Sequence, residues 1–380
     1  MTHRTAAVAM LVGPVLVGSL AAAILTVTDP QPTLIQGLPD AGLITRWGLP
    51  VARGLRDLSA ASTIGLLFVV AVLLPRDARA RPRLTEARSR GIATASISAG
   101  LWALASAAVL VLTFSDTAGF PVIGSSLWAG IPVYVTSVDL GMANMISTSL
   151  VLAIAVGCLA VRKVEGAEVA LLLLSLAALW PIASTGHVAT DPNHQQSVLL
   201  LFSHLVGVSI WIGGLAAFGF LQDDVGRYRD AVLRRYSVTA TCCLTVVAMS
   251  GVLSAMLRLG SWSALRSSYG ALILVKATVL LALGAVGYLH RRRLAATTQT
   301  WTAQARRRFA ELAGGELVIM CVAVALGVAL GRTPPPELEA STSSPRPPVH
   351  HRLVSDAHEG PAALPCGEAA RLVVPTLDSR

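Results

Sequence analysis

The sequence predicts an all-α fold: a polytopic transmembrane bundle of about nine helices, amino terminus cytoplasmic and carboxyl terminus extracytoplasmic. Three observations predict it. Hydrophobic residues make up 54% of the 380-residue chain and charged residues only 13%, with a mean hydropathy of +0.65. Soluble domains carry nearer to about 25% charged residues, so lipid is the main solvent here. Nine apolar segments approach the length of a membrane span, and the connections between them alternate between arginine-rich and arginine-poor.

A helical span needs about 20 apolar residues, because every backbone amide in hydrocarbon must bond within its own helix. The segments that qualify are 6–27, 55–74, 93–114, 138–161, 168–186, 197–221, 236–257, 270–290 and 313–331. The first also has the look of a signal peptide, since Arg4 precedes an apolar core. Its length exceeds a usual signal core and it lacks a clear small-x-small cleavage site before a polar mature start, so the membrane span is preferred. The second and fourth are the weakest: Arg53, Arg56 and Asp57 flank the start of one, and Asp139 opens the other.

Arginine sets the orientation. The connection at 75–92 holds Arg76, Arg79, Arg81, Arg83, Arg88 and Arg90, and that at 162–167 holds Arg162 and Lys163. The connection at 222–235 holds Arg227, Arg229, Arg234 and Arg235, and that at 291–312 holds two arginine triplets. The alternate connections at 115–137 and 187–196 contain no Lys or Arg. Basic residues stay cytoplasmic, so the bias gives the topology above and supports the span count. The same clustering accounts for the net charge of +9 as membrane topology, and no nucleic-acid partner is expected. The partner that composition requires is the lipid bilayer.

The bundle is expected to cover residues 1–332. The tail from Thr333, TPPPELEASTSSPRPPVHH and onward, is rich in Pro and Ser and poor in large apolar residues. Such a segment cannot bury a core, and 333–380 reads as a disordered extracytoplasmic tail. Five cysteines are scattered without a CxxC, so no disulfide framework or zinc site follows.

Ionisable groups inside a span are costly and mark candidate sites. His204 lies in the outer half of the sixth span and Lys276 in the outer half of the eighth; Asp57 and Asp139 stand near the same face. His187 ends the fifth span, and His194 follows in the short connection. Pro181 interrupts the fifth helix's hydrogen-bond ladder close to Ser184 and His187. His204, Gly207, Trp211 and Gly214 fall at i, i+3, i+7 and i+10, one continuous helix face. Gly207 and Gly214 on that face, with Gly213 beside it, allow a neighbouring helix to approach. His204 is therefore expected to point into the bundle, either as a ligand or as a histidine bonded between helices.

Met142, Met145 and Met256 lie in the same half. Thioether with imidazole suits copper, Cu(I) above all, although methionine in an apolar helix also serves as core filling. Cys242 and Cys243 are a second soft pair, or small packing residues. The metal candidates are thus His187, His204, His194, Met142, Met145 and Met256. Lys276 repels a cation and needs a partner, Asp139 or Asp57, or a neutral state.

STGHV, then His204 with the following WIGGL, resembles the copper resistance protein D (CopD) family of bacterial membrane proteins. Arg235, Tyr236 and Ser237 opening the seventh span, SGVLSAMLRLGS closing it and YGALILVKATVLLALGAVGYLHRRRL after it extend the likeness. It covers about 168–331 well and the first four spans in layout. His187, His204, Trp211, Gly213, Gly214, Tyr269, Gly270 and Lys276 match the family's pattern, whereas His290 stands where many members have asparagine. The layout and the RTPPP exit also resemble the front half of longer actinobacterial proteins fused to a cytochrome oxidase assembly (CtaG-like) half. A short version and a truncated reading frame both fit the lack of that half here.

The resemblance implies a multi-pass protein of the bacterial cell (inner) membrane that handles copper, by uptake or tolerance, with a periplasmic copper-binding partner. It is not expected to be an enzyme, and no GxxxxGK[ST] nucleotide loop is present. Two alternatives stay open. One is an electron-transfer protein holding haem between His187 and His204; the other is a factor delivering copper to an oxidase.

Overall fold

A computed structural model describes residues 17, 20, 23, 40–75, 81–161, 164, 166–185, 194–259, 261–296 and 303–331. All regular structure among them is helical. We number the helices α1 (Leu43–Phe68), α2 (Arg81–Ala118), α3 (Ser125–Ser137), α4 (Asp139–Ala160) and α5 (Ala167–Ala177). A four-residue turn, α6 (Trp180–Ala183), follows, and then α7 (His194–Leu221), α8 (Arg229–Leu259), α9 (Ser268–Ala296) and α10 (Ala303–Leu330). Seven of these are long and apolar enough to cross a membrane, and Ala167–Ala183 is a shorter apolar eighth. Val17, Leu20 and Ala23 of the expected first span are helical; the rest of that span and the tail lie outside the described residues.

The spans are longer than hydropathy marks them. α1 begins at Leu43 rather than near 55 and carries Pro50 in its interior. Arg53, Arg56 and Asp57 are therefore helical residues and not a loop. Asp57 neutralises its neighbour, its Oδ1 accepting from Arg56 Nε at 2.9 Å and Nη2 at 2.8 Å. α2 likewise starts in the arginine-rich connection at Arg81. Hydrocarbon limits the apolar stretch but not the helix, whose backbone bonds continue into the polar layer. The connection at 115–137, expected as a loop, contains the apolar α3, which packs on the start of α4.

α1 is the centre of the bundle. It packs along α2 on one side and along α7 on another, and α2 in turn packs along α4. At the α1–α7 crossing there is room only for glycine: a Cβ on Gly213 would strike the Ala61 carbonyl, and one on Gly65 would strike the Gly213 backbone. Backbones this close maximise dispersion contact between helices that lipid otherwise solvates equally well. α1 ends in a π-helical turn, Val69–Leu73, where the Leu74 amide reaches Val69 O at 3.0 Å. The wide turn leaves Leu73 O open, and Arg235 Nη1 of α8 donates to it at 3.0 Å.

The fifth span is broken as Pro181 leads one to expect. α5 stops at Ala177, turns through Ala178 and Leu179, and restarts at Trp180 with Pro181 in the first turn, where its missing N–H costs nothing. Ser184 and Thr185 hydroxyls donate to the freed carbonyls of Pro181 and Ile182, both at 3.0 Å.

Candidate functional site

α7 and α8 run antiparallel, and their contacts pair in register. His204 Nδ1 is 3.0 Å from Ser250 Oγ. One turn on, a Cβ on Gly207 would meet Val247 Cγ2 at 3.0 Å; at the far end, one on Gly214 would meet the Tyr236 ring at 2.9 Å. Between them Tyr236 Oη donates to Trp211 O at 2.8 Å in a buried setting. The face predicted from spacing, His204 with Gly207, Trp211 and Gly214, is therefore the face against α8. Gly213, one residue aside, belongs to the α1 contact instead. The glycines let two helices close on His204 from one side while α1 braces the other.

Ser250 is the residue that spacing alone missed. Its hydroxyl also lies 2.7 Å from Val246 O, its own helix's carbonyl one turn back. Donating there, Ser250 offers a lone pair to the His204 ring, which the Val247 backbone also bonds. A neutral imidazole with one nitrogen fixed by a hydrogen bond is the form that ligates metal.

Lys276 of α9 lies within electrostatic reach of His204. Its Nζ sits 3.4 Å from where Gly327 of α10 would carry a Cβ. Four helices, α7 to α10, thus meet around one imidazole and one lysine amine. The expected partners of Lys276 are engaged elsewhere: Asp57 is bonded to Arg56, and Asp139 is exposed in the first turn of α4, where the helix dipole favours a carboxylate. Among the described ion pairs none joins either to Lys276.

Other candidates are placed apart from this junction or lie outside it. His187 is outside the described residues. His194 is exposed at the first position of α7. Met142 is half-buried, and Met145 and Met256 are exposed on α4 and α8. Cys243 is buried while Cys242 is exposed, since adjacent residues on a helix point about 100° apart, so the pair forms no single site. Tyr269 is buried, and a Cβ on Gly270 would strike the Leu265 backbone at 2.5 Å. Those two family positions seat the start of α9 against the turn Trp262–Arg266. Among the described residues no three His, Cys, Asp or Glu side chains converge. No observation favours haem.

At the arginine-rich end the charges are knitted together. Arg88 of α2 reaches Glu168 of α5 at 2.6 Å and Val164 O at 2.5 Å. Arg90 reaches Asp224 at 2.8 Å, and Arg229 donates to Gln222 O at 2.9 and 2.7 Å. These bonds tie connections to helices rather than forming a pocket.

Comparison with known proteins agrees with this layout. The family profile described as copper resistance protein D matches residues 230–330, and the one described as copper resistance protein D-like, N-terminal domain, matches residues 43–197. Together they cover about two thirds of the chain, including the early spans that the sequence likeness reached only in layout. The segment carrying His204 and Trp211 lies between the two. The chain is similar to the copper transport protein CutJ of Bacillus subtilis (strain 168), 33% identical over 164 residues. That stretch is 41% of this chain and 29% of the relative, so the match spans under a third of the relative's length. No solved structure matches. An apolar helical bundle, with both halves matched to one family, makes the chain a copper-related, multi-pass membrane protein that belongs to the copper resistance protein D family.

Proposed function

We propose that this chain handles copper at the bacterial cell membrane, capturing the ion at the arginine-poor, extracytoplasmic end and passing it inward between the helices. The observation that carries the reading is His204: a half-buried imidazole fixed by Ser250 at 3.0 Å at a four-helix junction. In a membrane interior such a group is retained for a polar cargo. His187 would join it from the end of the fifth span, with Met142, Met145 or Met256 as transient soft contacts during entry.

The chain acts on copper as cargo and performs no covalent chemistry. Lys276 would set the charge balance, opposing entry of a free cation and so favouring release once copper has left the imidazole. A periplasmic copper-binding protein is the natural donor. Uptake and tolerance share this capture step.

Metal content measured on the purified protein and on a His187→Ala, His204→Ala double variant tests the reading. Copper, or silver as a Cu(I) probe, is expected on the parent and absent from the variant. Equal copper on both would sink the proposed site. Comparing cytoplasmic copper with oxidase activity in a deletion strain separates uptake from delivery to an oxidase.

A further inference from the structure

A different set of polar groups lies on the other side of α1 from His204. Trp102 Nε1, Ser106 Oγ and Thr113 Oγ1 of α2 are buried, and among the described residues none has a hydrogen-bond partner. Positions i, i+4 and i+11 fall within about 40° of one another around a helix, so the three groups form one stripe. α2 is packed between α1 and α4, which turns a polar stripe into an interior one. Tyr134 of α3 packs beside it at the arginine-poor end, its ring stacked on Phe114 at 4.6 Å between centroids and its buried hydroxyl bonded by the Asn144 side chain.

The neighbouring hydroxyls behave differently. Ser98 donates to Ser59 O at 3.0 Å, Thr63 to Ser59 O at 2.9 Å, and Thr45 and Ser115 share a bond of 2.6 Å. Polar groups on this interface therefore find protein partners wherever the backbone offers them. Three on one stripe that do not, in a bilayer where an unmade bond is expensive, take a partner that is not protein.

We propose that α2 carries an internal hydrated seam, bound waters running from Thr113 past Ser106 to Trp102 near mid-membrane. A buried water needs two to four polar contacts, and Trp102 and Ser106, one turn apart on one face, hold such a water between them. The Thr45–Ser115 bond closes the seam at the arginine-poor end, so the waters are retained rather than freely exchanged. The seam does not depend on copper and is separated from His204 by the glycine crossing of α1 and α7.

Radiolytic hydroxyl labelling of the full-length protein in nanodiscs tests this, because radicals formed from bound water oxidise the side chains that touch it. After correction for intrinsic reactivity, Trp102 is expected to oxidise several-fold faster than Phe218, which is equally buried in apolar surroundings. A Ser106→Val, Thr113→Val variant, which dries the stripe, is expected to protect Trp102. Protection of Trp102 equal to that of Phe218 in the parent overturns the seam, and this reading stands even if the variant fails to fold. Unchanged Trp102 oxidation in a folded variant overturns it as well.

Discussion

At the arginine-rich end Arg88 meets Glu168, Arg90 meets Asp224, Arg229 caps Gln222 O and Arg235 caps Leu73 O. In the opposite half His204 rests on a serine and Lys276 against a glycine, and no described carboxylate is within salt-bridge distance of Lys276. The difference separates two uses of charge. Arginine in the polar layer gains by bonding backbone and carboxylates that hold helix ends together, and its stem lies on apolar surface. An imidazole and a lysine amine inside the span gain little from each other, so they add little to cohesion.

That contrast can be broken by asking which substitutions cost stability and which cost copper. Arg88→Ala leaves Glu168 without its partner. It is expected to lower stability by about 3 kcal/mol, toward the low end for a buried pair because both side chains keep some exposure, read as thermal unfolding in nanodiscs. Copper binding by the fraction that folds should be unchanged; a parallel loss of copper would join the two ends into one device. Gly213→Val forces α7 away from Ala61 and is expected to cost about 2 kcal/mol, with copper lost as α7 shifts. A neutral result there would mean that the α1–α7 crossing is looser than its contacts indicate.

Tyr236→Phe removes the bond to Trp211 O and is expected to cost about 1 kcal/mol or less, measured the same way. His204→Gln should cost little stability, since an amide keeps a bond to Ser250, while abolishing copper. A large melting shift with copper retained would turn His204 into a packing histidine. Lys276→Met should leave melting unchanged and tighten silver binding; weaker binding would make the ammonium part of the capture site.

Much of this was legible because lipid imposes simple rules. Eight of the nine segments read from hydropathy correspond to described helices, and Pro181 marked a break that the chain does make. The face from His204 to Gly214 followed from helical spacing, and its tight fit against α8 is what glycines at i+3 and i+10 permit. Legibility failed where polarity and helix part company. Arg53, Arg56 and Asp57 suppressed the start of α1 because the compensation of Arg56 by Asp57 is invisible to a hydropathy window. α3 was hidden between two spans, and Asp139 and Asp57 were offered to Lys276 only because all three stand in one half of the membrane.

What the sequence by itself determined is the membrane architecture, the family, and the residues that break the rules of a lipid-facing helix, because those follow from local composition and period. Tertiary structure alone decided the partners. Ser250 lies 46 residues from His204, and Arg235 reaches a carbonyl 162 residues away. Which face meets which is fixed by how α1, α7 and α8 pack, through contacts between residues distant in the chain, and no local pattern encodes that.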